Sequence, residues 1–115
     1  MKLLTQGEVE TQIIALCNGL EEETYEYAEL ADLAATAEAD YKILSAKAMI
    51  SFAADTAIKV TAAVREAKVD QYCAEQLRSW KITEARRQSK KESLLSLRAR
   101  LDAMRTLSAN IRSQT

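Results

Sequence analysis

Two sets of residues have types and spacing that can do chemistry. Glu22, Glu26 and Glu29 lie at i, i+4 and i+7, so a helix carries the three carboxylates on one face. Arg78, Lys81, Arg86, Lys90 and Lys91 surround Trp80, a pattern in which bases follow a nucleic-acid backbone and an aromatic ring stacks on a base. Each set also has a plainer meaning. A carboxylate-bridged metal pair in a helical bundle needs Glu-x-x-His partners, and histidine is absent. The commonest general base is therefore missing too. The glutamates then form a solvated or salt-bridged face, the bases are their partners, and Trp80 is an anchor between helices. No phosphate-cradling glycine loop and no G-x-S-x-G nucleophile turn occurs. Cys17 and Cys73 are the only thiols, too few for zinc without histidine, and they read as small packed side chains of a reducing compartment. The sequence thus offers no catalytic residue, no metal site and no cofactor site, and an enzyme is not expected.

The element that must position these residues is a long helix. From Val9 an unbroken alternation of fours and threes runs through Ile13, Leu16, Leu20, Glu23, Tyr27, Leu30, Ala34, Ala37, Tyr41 and Leu44 to Ala48. Eleven of these twelve are apolar, and Glu23 is the exception. A mean spacing of about 3.5 residues lines the side chains into one seam along a helix. Composition agrees: proline is absent, glycine occurs twice and alanine 20 times, which favours helix throughout. With 48% hydrophobic and 29% charged residues the chain is not of disordered type, and 115 residues make one domain by size.

Thr5-Gln6-Gly7-Glu8 reads as a capping box that starts the first helix near Gln6. Asn18-Gly19 resembles a helix end, but the seam keeps phase across it, so the helix is expected to continue. The seam fades after Ala48, which sets the first helix at about 6–50 and a connection at about 51–60. Thr61 then caps a second helix over about 61–112. Leu94, Leu97, Leu101, Met104 and Ile111 form its apolar end. The same phase read backward passes Lys90, Arg87, Thr83, Trp80 and Gln76 to Cys73 and Val69, so this seam is polar in its middle.

Charge divides the chain at the connection. Residues 1–58 hold eleven acids against three lysines, a net of −8, and residues 59–115 hold thirteen bases against six acids, a net of +7. The near-neutral total and the pI near 5.6 hide an acidic helix and a basic one. Folded antiparallel about residue 56, Glu22 faces Lys90 and Glu26 faces Arg86. Glu23 then meets Arg87 or Lys90 in a structural polar layer that sets the register of the pair. Off the seam stand Ile14, Leu33, Ile43, Ile82, Leu95 and Leu107. They are surplus to one helix pair, and the thin core of such a pair favours self-association into a bundle.

Ala37-Glu38-Ala39-Asp40-Tyr41-Lys42, and the ending Leu97-Arg98-Ala99-Arg100-Leu101-Asp102-Ala103-Met104-Arg105-Thr106-Leu107-Ser108-Ala109-Asn110-Ile111-Arg112, resemble a group of small all-helical proteins of tailed bacteriophages and prophages. These share an E-A-D-Y-K segment and an L-R-x-x-L-D-A-x-R-S-L-S-A-N-x-R ending, in which Thr106 here stands in place of serine. Such proteins are often encoded among replication and recombination functions. The resemblance implies a phage origin, action in the bacterial cytoplasm and no enzyme chemistry, and carries no site residues.

The sequence reading is therefore an all-α, coiled-coil-like antiparallel helical hairpin that self-associates. Its expected role is non-enzymatic: binding and modulating a protein of DNA recombination or replication through Arg78, Trp80, Lys81, Arg86, Lys90 and Lys91 together with the surplus aliphatics. Direct nucleic-acid binding by the basic helix is the second expectation. Inhibition of a host defence protein by the acidic helix is the third. No run of eighteen apolar residues and no signal peptide is present, so no membrane partner is expected, and the chain is expected to stay in the cytoplasm.

Overall fold

The computed structural model describes residues 4–54 and 61–114. They form an all-α antiparallel helical hairpin of α1 (Gln6–Ala54), α2 (Ala62–Tyr72) and α3 (Ala74–Ser113). Helix α1 begins at a reciprocal box: the Glu8 N–H donates to Thr5 Oγ1 and the Thr5 N–H donates to Glu8 Oε2, each at 3.2 Å. Two otherwise orphaned backbone donors are satisfied in this way. Helix α2 begins where Val64 N–H donates to Thr61 Oγ1 at 3.3 Å. Helix α1 passes through Asn18-Gly19 without a break, and a Cβ on Gly19 would meet nothing within 4 Å. Packing therefore makes no demand for glycine there.

Two boundaries differ from the sequence expectation. Helix α1 runs past residue 50 to Ala54, and the rest of the expected connection, 55–60, lies outside the described residues. The expected single helix over 61–112 is divided at Cys73, which sits at φ −99° and ψ 17°. The hydrogen-bond ladder nevertheless crosses the joint: Cys73 N–H donates to the Val69 carbonyl and Leu77 N–H to the Cys73 carbonyl, both at 2.9 Å. The cause is local. Cys73 is wholly buried in one cluster with Val69 and Ala48, and cysteine is a weak helix former. Packing holds the side chain, and the backbone takes up the difference within one residue.

Contacts gather the chain into two compact units. The first pairs residues 4–29 with 88–114, the second residues 30–54 with 61–87. In the first, Val9 and Leu16 of α1 and Leu94 and Leu101 of α3 are buried. Buried Ser108 accepts a hydrogen bond from Gln6 Nε2 at 3.0 Å. In the second, Ala48, Val69 and Cys73 form a core flanked by Tyr41, Leu44, Met49 and Phe52. All seam positions, from Val9 to Ala48 and from Val69 to Ile111, are buried or half-buried. The period read from sequence is thus the buried stripe of both units.

Candidate interaction surface

In the first unit the seam is interrupted by charge. Lys90 Nζ lies 3.0 Å from Glu23 Oε2 and 2.6 Å from Glu26 Oε2. Ser93 Oγ donates to the same Glu23 oxygen at 3.4 Å. The hydrogen bond to Glu26, and then that to Glu23, hold the Lys90 ammonium above its ordinary pKa. Lys90 and Glu23 are half-buried rather than dry, so the desolvation cost of a sealed ion pair does not arise in full. One lysine shared between carboxylates from successive turns of α1 ties the two helices at one height.

The pairing sits about one turn away from the expected register. Glu26 meets Lys90, not Arg86, and Glu23 meets Ser93 as well as Lys90. Glu23 keeps the expected partner Lys90, while Glu26 meets a residue one turn further along α3 than expected. Arg87 turns to its own helix, where its Nε donates to Glu84 Oε2 at 3.0 Å. Glu21, Glu22 and Glu29 are exposed on α1, and Arg78, Arg86 and Lys91 are exposed on α3.

Trp80 is an anchor of the second unit. It is half-buried and stacked on Tyr41, with ring centroids 5.4 Å apart. Lys81 Nζ stands 4.4 Å and Lys42 Nζ 5.9 Å from the indole, both within cation–π range. Tyr41 donates from its hydroxyl to Asp70 Oδ1 at 3.3 Å. Its pKa is raised by burial first and by the Asp70 carboxylate second. Among the residues expected to bind a partner, the structure thus commits Lys90 to α1 and Trp80 and Lys81 to a ring cluster. Arg78, Arg86 and Lys91 remain on the surface.

Of the surplus aliphatics, Ile14, Leu33, Ile43, Ile82 and Leu95 are exposed and Leu107 is half-buried. Sequence reasoning overlooked a groove in the first unit, about 350 Å³, lined by Thr24, Tyr27, Lys91, Leu94, Leu95 and Arg98. The signal was available as the seven-residue recurrence of Lys91, Arg98 and Arg105. Among the described residues no group of three His, Cys, Asp or Glu side chains is placed to hold a metal ion. No described helix is long and apolar enough to cross a membrane. Compared with protein families, curated proteins and solved structures, the chain matches no family model, no curated protein and no solved structure.

Proposed function

We propose that this chain is a non-enzymatic helical interaction protein that self-associates and binds a protein of DNA recombination or replication, modulating it. The observation that carries the reading is the exposure of aliphatics outside the seam, among them Ile14, Leu33, Ile43, Ile82 and Leu95. Single exposed aliphatics are ordinary. Here they stand on helices whose buried stripe is partly alanine, so large aliphatics lie outside the chain's own core while small residues lie in it. The resemblance of the ending to phage proteins supplies the class of partner.

Calorimetry against purified single-strand-binding and recombinase proteins of a bacterial host tests the reading. Saturable binding, weakened by Leu33→Lys and by Ile43→Lys, is the expected result. Absence of heat with each of these proteins at about 100 µM, where even weak complexes form, overturns it. Direct nucleic-acid binding is the second reading, favoured by the exposure of Arg78, Arg86 and Lys91. Fluorescence anisotropy with single- and double-stranded oligonucleotides decides it, because phosphate contacts must weaken steeply as salt rises.

A further inference from the structure

We infer that the first unit pairs with a second copy of this chain through the side that carries Lys91, Leu95 and Arg98, with α1 of each copy lying on α3 of the other. The inference rests on the self-association proposed above and adds the face, the symmetry and the contacts.

Lys91, Arg98 and Arg105 recur every seven residues on α3, so they share one side, and Leu95 stands on it between the first two. The groove that joins Lys91, Leu95 and Arg98 to Thr24 shows which edge of α1 borders this side. Seven and fourteen residues before Thr24 come Cys17 and Glu10, and three residues before Thr24 and Cys17 come Glu21 and Ile14. All of these are exposed, Ile14 by 62% and Leu95 by 54%. On this side α1 therefore offers acids with an aliphatic, and α3 offers three bases with an aliphatic and one acid, Asp102. Within the chain, Arg105 reaches Asp102 only at 4.0 Å.

Two twofold arrangements stack this side on its own copy. An axis across the helices lays α3 on α3 and confronts Lys91, Arg98 and Arg105 with the same three bases. An axis along the helices lays α1 on α3, antiparallel, and brings acids to bases. This second axis leaves every residue at its own height. Within the unit Gln6 stands beside Ser108 and Glu23 beside Ser93. The partner's Glu10 then comes to Arg105 and the partner's Cys17 to the aliphatic stem of Arg98. The partner's Ile14 lies between Arg98 and Asp102, and the partner's Glu21 comes level with Leu95, about one turn from Lys91 and within reach of its long side chain. The result is a four-helix packing in which Ile14, Cys17, Leu95 and the stem of Arg98 lie between two sets of ion pairs, each set repeated by the symmetry.

The test is light scattering on size-exclusion eluates near about 100 µM, a concentration at which weak dimers assemble, with circular dichroism to verify that each variant is helical. The wild type is expected to run as a dimer and Leu95→Lys as a monomer, with dissociation weakened at least about tenfold, since symmetry places each substitution at the interface twice. Two charge-reversed proteins identify the contacts. Lys91→Glu/Arg105→Glu and Glu10→Lys/Glu21→Lys should each be monomeric alone and should form a mixed dimer when combined. An effect confined to one chain cannot produce that outcome. A dimer that survives Leu95→Lys, or reversed proteins that fail to combine, overturns this interface and leaves self-association standing. A monomeric wild type overturns both, and partner binding is then judged by the calorimetry above.

Discussion

The two units obey one hydrophobic period and fill it in opposite ways. In the first, aliphatics come from both helices: Val9 and Leu16 meet a stripe of Leu94 and Leu101, and one charged layer at Glu23, Glu26 and Lys90 interrupts them. In the second, α1 supplies alanine at three of its six seam positions, Ala34, Ala37 and Ala48, and rings make up volume there. Tyr41 stacks on Trp80, and Phe52 meets Tyr72 edge-on at 6.2 Å. A repeat thus specifies where side chains are buried and leaves open what they are. Leucine against leucine spreads stability over many interchangeable contacts. Alanine against tryptophan concentrates it in a few.

That contrast is broken most forcefully at Trp80. Trp80→Ala should cost about 3 kcal/mol, at the lower end for a large aromatic because the ring is only half-buried. Leu101→Ala in the first unit should cost a similar amount, about 2–3 kcal/mol. Urea unfolding gives both totals, and hydrogen exchange separates them. Trp80→Ala should release amides of residues 30–54 and 61–87 first, and Leu101→Ala those of 4–29 and 88–114. Trp80→Phe keeps a ring against Tyr41 and should recover a large part of the loss. If both alanine variants accelerate exchange equally everywhere, the units are one cooperative body and the contrast is one of composition alone.

Much of this architecture was legible because its signals are periodic or local. The seam from Val9 to Ala48 and the box at Thr5 and Glu8 each depend on residues a turn or less apart, and such spacing survives in the folded chain unchanged. The polar layer was legible as chemistry: one acid in an apolar stripe must find a base, and Lys90 is in reach. Its exact register was less legible, because Lys90 can reach either Glu23 or Glu26 on successive turns, and the spacing alone does not choose between them. The joint at Cys73 was hidden as well. Its hydrogen bonds remain helical and only its φ and ψ depart, under a packing constraint set by Ala48, distant in sequence. The groove beside Leu95 was missed because Arg98 and Arg105 were read as parts of the ending and not as one stripe with Lys91.

A smaller effect sharpens the comparison from the stabilising side. Gly19 lies inside the aliphatic unit with open space where a Cβ would stand. Gly19→Ala should therefore stabilise by about 1 kcal/mol through helix propensity and lower unfolded-chain entropy. Differential scanning calorimetry should register a rise in Tm of about 5 °C. No rise would mean that the glycine relieves a strain in α1 that its geometry does not disclose.

The smallest effect is electrostatic, and each unit supplies one contributor. Lys90 in the first and Tyr41 in the second both have folded-state pKa values raised above their ordinary values of 10.5 and 10.0. A raised pKa means that the folded state holds the proton more tightly than the unfolded chain. The stability it contributes is complete below the ordinary pKa and is lost as pH climbs through the folded one. Neutral and mildly acidic solution should leave both contributions intact, and Tm should decline only above about pH 10. Lys90→Met removes the part that belongs to the Glu23 and Glu26 bonds, and Tyr41→Phe removes the part that belongs to burial and Asp70. Each variant should have a shallower alkaline decline than the wild type, and the double variant the shallowest. Because the two residues answer to different causes, the pH profiles also report on the units separately. An alkaline decline unchanged by Lys90→Met would show that the shared lysine fixes the register of the aliphatic unit without adding measurably to its stability.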